Sequence, residues 1–191
     1  MKQETLKLIQ EKYEKADLKY HINAVVKNAM LLASKLKADI EVVEMGAYLH
    51  DIGRTEVRDR DFLYYANNDH HIVGEKVAGE FLKNLGYDTD FIEKVCHCVL
   101  THRGRKGPNP ETIEAEIIAN ADAMAHFDTF LDIFNIFLKT NKTFEKAVEE
   151  IEAKMNRNWN KKLTLPEAKK ISKEKYEAIM LIIKSTKEYM N

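Results

Sequence analysis

Residues 46–53 read Gly-Ala-Tyr-Leu-His-Asp-Ile-Gly, an apolar run interrupted by two adjacent ionisable side chains, His50 and Asp51. Burying an unpaired carboxylate is costly, so any fold that buries this pair must give it partners or a metal. Upstream, Ile40, Val43 and Ala47 recur at i, i+3 and i+7, and His50 continues the stripe at i+10. His50 is therefore expected to face inward from a helix. Adjacent helical side chains point about 100° apart, so Asp51 can meet His50 at one point only near a helix end, which Gly53 supplies. Two ligand-type side chains at one helix end make half a metal site.

The chain has room to supply the rest. With 191 residues, 45% of them hydrophobic, and only seven Gly and three Pro, it can bury one sizeable core and shows no extended linker. Charges nearly cancel, 30 Lys and Arg against 31 Asp and Glu, so no global field marks a nucleic-acid or membrane partner. Any attraction for anions must be local. Cys96 and Cys98 lie two apart on an expected helix and diverge there by about 200°, which disfavours a disulfide and fits a reducing compartment. The first residues are charged where a signal peptide needs an apolar stretch, and no long uncharged apolar run occurs. A cytoplasmic protein is expected.

Residues 4–16 read as an edge helix carrying Leu6, Leu8, Ile9 and Tyr13. A second helix opens at His21, with Ile22, Val25, Val26, Ala29, Ala33 and Leu36 on one face. A helix N-terminus disfavours added positive charge, so His21 in the first turn is favoured neutral, the form that binds metal. After Gly53 comes a charged segment with Arg54, Arg58 and Arg60. Arginines near a metal can clamp phosphate oxygens, and only Arg54 stands close enough to the pair for that role. The next helix starts at Asp69-His70-His71 and stops at Leu85-Gly86, and periodicity alone leaves His70 and His71 exchangeable. Asp88, Thr89 or Asp90 caps a helix ending at Thr101-His102. His102 follows Val95 and Val99 at core spacing, whereas His97 lies about 140° around the helix, so both cannot share one ion. Cys98 is a conceivable thiolate ligand, although a lone helical Cys is usually an apolar filler.

Arg103, Arg105 and Lys106 follow His102 in a basic, Gly-containing loop that could cradle an anion. Asn109-Pro110-Glu111 reads as the start of a helix running through Ile113, Ile117 and Ile118 to Asp122. Asp122 stands among Ala121, Ala123, Met124 and Ala125 and again needs a partner. His126, at i+4, is either a supporting group or a polar residue at the rim. Phe127, Phe130, Phe134 and Phe137 read as core or pocket wall. Residues 143–155 and 165–190 read as two more helices, the last opened by a capping box over Thr164-Leu165-Pro166-Glu167. Ala168, Ile171, Ala178, Ile179 and Ile182 give that helix a stripe suited to docking or to a homodimer, and Trp159 reads as a packing anchor.

The run His50-Asp51-Ile52-Gly53 resembles the signature of the HD-domain superfamily of metal-dependent phosphohydrolases, in its HDIG variant. Order and spacing extend the likeness over roughly residues 20–126: His21 near a helix start, His50-Asp51, His70, His102, and Asp122 as the closing Asp. His70 followed four residues later by Gly74 matches an element of that superfamily and favours His70 over His71. The register favours His102 over His97. The resemblance implies an all-α, single-domain helical bundle with the metal site in its core. Residues 20–140 would form the phosphohydrolase core, 1–19 a helix packed on it, and 141–191 helices completing the same domain. It further implies one or two divalent metals, the first on His21, His50, Asp51 and Asp122, the second on His70, His102 and a bridging Asp51. Imidazole and carboxylate donors suit iron, manganese, nickel, cobalt or zinc.

The implied reaction is hydrolysis of a phosphate ester or anhydride by a metal-activated water. Asp51 and Arg54 would be catalytic, with Arg54, Arg103, Arg105 and Lys106 on the substrate phosphate. The Gly-Tyr-Pro signature of the cyclic-diguanylate branch is absent, as is the Glu-Asp element of guanosine-tetraphosphate hydrolases. A nucleotide or related small molecule is the expected substrate, with no nucleic-acid or membrane partner. Two other classes compete. A sensor or adaptor would keep the site to bind metal or nucleotide without turnover, and a plain helical interaction protein would leave the spaced His and Asp residues unexplained.

Overall fold

The computed structural model describes residues 2–16, 18–56, 69–103, 108–141 and 143–190. Helices account for nearly all of these, and no strand occurs among the described residues. In order they are α1 (Lys2–Ala16), α2 (Lys19–Leu36), α3 (Ile40–Leu49), α4 (His70–Asn84), α5 (Thr89–Thr101), α6 (Ile113–Asp128), α7 (Phe130–Thr140), α8 (Phe144–Arg157) and α9 (Pro166–Met190). A tight 3-10 turn, Ile52–Glu56, follows α3, and a wide turn, Asn158–Lys162, follows α8. The all-α bundle expected from the sequence is what forms.

Side-chain caps fix where several helices begin. Asp39 accepts the backbone N–H groups of Glu41 and Val42 at the start of α3, and Asp88 accepts that of Phe91 at the start of α5. Thr143 caps α8 through the Lys146 N–H. At α6 the expected start is corrected: Thr112, not Asn109, is the cap, accepting from Ala115. The Glu111 N–H is drawn away to His97 Nε2 at 3.1 Å, so the Asn-Pro-Glu stretch stays outside the helix. Gly86, with φ of 79°, ends α4 in the left-handed region, where a glycine carries no steric penalty.

The bundle is built around α6, buried almost continuously from Ala115 to Phe127. Its alanines let α2, α3, α5 and α9 approach closely. Gly46 serves the same purpose on α3, since a Cβ there would lie 3.1 Å from Cys98 Cβ. Cys98 is fully buried at that crossing with its thiol pushed up by burial, and it acts as an apolar filler.

The C-terminal helices share this core. Val148, Ile151, Met155, Leu163, Ala168, Ile179 and Ile183 pack in the same apolar cluster as Val25, Val43 and Ile118. The capping box expected before α9 does not form. Thr164 donates its hydroxyl to Glu116 at 2.8 Å, while the backbone N–H groups of Thr164 and Leu165 are taken by Asn120 Oδ1 at 2.9 and 3.1 Å. A fully buried side chain of α6 thus caps α9 from outside. On α9 the inward stripe runs through Ala168, Ser172, Ile179 and Ile183, whereas Ala178 and Ile182 of the expected stripe are exposed. Phe130 and Phe134 line an apolar cavity of about 120 Å³ between α7, α8 and α9. Trp159 stacks on Tyr176 with centroids 4.5 Å apart, as a packing anchor would. No helix among the described residues is long and apolar enough to cross a membrane.

Candidate metal centre

The centre lies where α2, the end of α3, α4, α5 and α6 meet. His50 caps the C-terminal end of α3 just past Leu49, and Asp51 begins the tighter turn, closed by the Arg54 N–H on the Asp51 carbonyl at 2.9 Å. Tightening the backbone there lets adjacent side chains point to one place, which a regular helix forbids. Gly53 then permits a close crossing. A Cβ on it would fall 2.2 Å from the His70 carbonyl oxygen and 2.7 Å from the Gly74 nitrogen. The Gly53–Gly74 approach sets His70 against Asp51.

Asp51 is the hub. Its Oδ2 lies 3.6 Å from His50 Nε2 and 3.8 Å from His21 Nε2, and its Oδ1 lies 3.2 Å from His70 Nε2 and 3.6 Å from His102 Nε2. Two sets of ligand atoms result, His21, His50 and Asp51 on one side and Asp51, His70 and His102 on the other, each within 4.8 Å. A third set joins His21 to Asp122 and His126, with Asp122 Oδ1 3.4 Å from His21 Nε2. Donors about 2.1 Å from one ion stand roughly 3–4 Å from one another, and these spacings fall in that range.

Protonation makes the fit sharper. The Nδ1–H of His50 donates to the Ala47 carbonyl at 2.8 Å and that of His102 to the Val99 carbonyl at 2.6 Å. Carbonyls only accept, so each ring turns a lone-pair Nε2 toward the centre. There His50 Nε2 meets His21 Nε2 and His102 Nε2 meets His70 Nε2, both at 3.3 Å. The lone pairs of His50 and His102 thus converge beside a carboxylate, an arrangement that suits a cation. Burial pushes His50 down to about 4 and lowers His70 as well, so these rings are neutral and ready to ligate at neutral pH. Burial alone would raise the Asp51 carboxyl, yet Arg54, His50, His102 and His70 hold it well below the usual carboxylate range. Asp122 is likewise held low against burial, chiefly by Lys162 and His126.

Each site residue expected from the sequence that falls within the described residues has a definite place. His21, His50, Asp51, His70, His102 and Asp122 come together. His71 is buried next door, its ring 6.1 Å from that of His70, and His97 sits outside, bound to the Glu111 backbone. Arg54 Nε reaches Asp51 Oδ1 at 2.8 Å. Arg103 lies within the field of Arg54 and 3.6 Å from Asp69. Arg105 and Lys106 lie outside the described residues. His126 lies beside the site, its ring stacked on His21 at 5.3 Å and its Nε2 3.8 Å from Asp122.

Three residues were not assigned to the centre from the sequence. Tyr13 of α1 is buried within the field of Asp51, its hydroxyl raised by burial first and that charge second. Lys162 Nζ contacts Asp122 Oδ2 at 3.1 Å. Lys154, half-buried on α8, is lowered to about 7 by desolvation and then by Lys162. Two of them leave a trace in the sequence: Tyr13 stands i+4 from Ile9 on α1, and Lys154 stands i+7 from Ala147 and i+3 from Ile151, a core register on α8.

Known proteins resemble this chain in sequence and in fold. Residues 18–126 match the HD domain family. A tRNA (cytidine(56)-2'-O)-methyltransferase of Picrophilus torridus is 31% identical over 147 residues, which cover 69% of this chain and 38% of that protein. A ribonuclease Y of Fusobacterium nucleatum is 32% identical over 105 residues, 55% of this chain and 18% of that protein. The chain thus spans well under half the length of these curated relatives. The crystal structure of a predicted HD superfamily hydrolase from an uncultured Thermotogales bacterium shares the fold at 20% identity, with a TM-score of 0.64 over 99% of this chain and 92% of that one. Since the matched segment covers more than half of the chain and contains His21, His50, Asp51, His70, His102 and Asp122, this chain belongs to the HD domain family.

Proposed function

We propose that the chain is a metal-dependent phosphohydrolase acting on a phosphate ester or anhydride of a nucleotide or related small molecule. The observation that carries this reading is the ring of inward-facing imidazole nitrogens around Asp51, with the Arg54 guanidinium fixed at its edge. His21, His50, Asp51 and Asp122 would hold one divalent ion, and His70, His102 and a bridging Asp51 a second. Bound there, such an ion supplies Lewis acidity that acidifies water and offsets charge on phosphoryl oxygens.

The chain's own groups do the rest. Asp51, ionised at neutral pH, fixes Arg54 through Nε, and the planar fork is thereby positioned for phosphoryl oxygens. Arg103 adds a second cation on the same side, and Arg105 and Lys106 follow it in sequence. A cavity of about 260 Å³ lined by Gln10, Tyr13, Lys19, Ile22, Asn23 and Tyr48 shares Tyr13 with the surroundings of Asp51. Its aromatic walls and amide groups suit a nucleoside. Of the curated relatives, the ribonuclease has a name that describes phosphodiester cleavage, the same reaction class.

The test is hydrolysis by manganese-loaded protein over nucleoside mono-, di- and triphosphates, cyclic nucleotides and a short RNA. At least one of these should turn over, Asp51→Asn should abolish turnover, and Arg54→Lys should cut kcat by about 10²-fold with metal retained. Full metal occupancy without hydrolysis of any of them would contradict the hydrolase reading and favour a sensor or adaptor.

A further inference from the structure

Lys162 lies beyond residue 126, where the family match ends, yet its Nζ reaches Asp122 Oδ2 at 3.1 Å. The lysine side chain is 23% exposed and the aspartate 9%, so this is not a pair in open water, where such contacts contribute little. The two carboxylate oxygens are divided between neighbours. Oδ2 accepts from the ammonium, while Oδ1 stands 3.4 Å from His21 Nε2 and 3.8 Å from His126 Nε2.

The backbone holds the lysine in place. The wide turn Asn158–Lys162 closes with the Leu163 N–H on the Asn158 carbonyl at 3.0 Å, one residue further back than an α-helix would bond. Directly after it, the N–H groups of Thr164 and Leu165 bind Asn120 Oδ1 at 2.9 and 3.1 Å, and Asn120 Nδ2 donates to the Thr164 hydroxyl at 2.8 Å. Asn120 stands two residues before Asp122 on α6. The helix that carries the carboxylate therefore also fixes the turn that carries the ammonium.

A carboxylate on a rotatable bond can offer either oxygen, or both, to an ion. A charge-assisted bond on Oδ2 stops that rotation and leaves Oδ1 as the oxygen beside His21. We propose that Lys162 is a positioning residue for the ion assigned to His21, His50, Asp51 and Asp122, holding Asp122 with Oδ1 turned to His21. A ligand set drawn from the HD segment is thus completed by a turn outside it. This role rests on the centre's being a metal site and requires no turnover.

The test is titration of manganese into metal-stripped protein in competition with a chelator of known affinity, with stoichiometry and dissociation constants read for wild type and variants. Wild type is expected to take two ions. Lys162→Met should weaken one of them by about 10- to 100-fold, as loss of a group that orients a ligand does, and leave the ion on Asp51, His70 and His102 within about threefold. Lys162→Arg, which keeps a charged donor, should restore most of the loss. Lys161→Met removes the same charge from an exposed neighbour and should change neither constant. The ion that stays tightly bound shows that the variant is folded. If Lys162→Met unfolds, Lys162→Gln, which keeps a donor without the charge, takes its place and should weaken the same ion alone. Unchanged or tighter binding in Lys162→Met, equal weakening of both ions, or the same loss in Lys161→Met would overturn the positioning role. A wild type that binds no manganese would overturn it together with the metal reading. The expected pattern with no hydrolysis of any nucleotide would sink only the hydrolase reading.

Discussion

At the scale of single residues, the centre depends on imidazoles kept neutral by burial. His50 is pushed down to about 4 from an ordinary 6.5, so between those values the unfolded chain binds a proton that the folded chain refuses. The sign follows: its contribution is fully present above about pH 6.5 and is lost as pH falls toward 4, with a slope of up to about 1.4 kcal/mol per pH unit. Denaturant unfolding of metal-stripped protein from pH 7.5 to 4.5 should show stability falling through this window, and His50→Gln should flatten the curve. Stability that stays level or rises on acidification would contradict a neutral buried His50. The sequence made His50 and Asp51 legible because an ionisable pair inside an apolar run has few structural explanations. Lys154 and Lys162 were harder to see, since lysines on an amphipathic helix and in a polar turn ordinarily lie in solvent. How far they are covered depends on where α8 packs, which is set by Val148, Ile151 and Met155 together.

At the scale of elements, the decisive feature is the crossing of the turn after α3 with α4. The apolar stripe through Ile40, Val43 and Ala47 brings His50 inward, but only the Gly53–Gly74 approach brings α4 close enough for His70 to face Asp51. Gly53→Ala would press a methyl into the His70 carbonyl and the Gly74 nitrogen. It should lower stability by about 3 kcal/mol or more, a fall in melting temperature of roughly 6–12 °C for a chain this size. Bound metal should be lost with it. Thermal unfolding at matched metal content checks this, and a melting temperature within a degree or two of wild type would show that the crossing is looser than described. Helix starts were legible where a local cap decides them, at Thr143 and, among the three candidates Asp88, Thr89 and Asp90, at Asp88. They were misread where a distant group intervenes: His97 takes the Glu111 N–H ahead of α6, and Asn120 takes those of Thr164 and Leu165 ahead of α9. Contacts of long sequence separation leave no periodic signal.

At the scale of the whole molecule, the HD segment and the C-terminal helices share one core, and residues of the latter stand against Asp122. The resemblance carried by His21 through Asp122 was enough to place the family and the bundle. The Lys162 contact with Asp122 comes from outside that resemblance, which is why spacing within residues 20–126 could not reveal it. Everything proposed for the centre depends on its holding metal. The most direct measurement is elemental analysis of freshly purified protein beside Asp51→Ala, repeated after stripping and reconstitution with manganese, iron, nickel, cobalt or zinc. Two shared-hub ligand sets predict about two ions per chain in wild type and near none in Asp51→Ala. No metal in wild type under any reconstitution, or equal metal in both proteins, would contradict a centre built on Asp51.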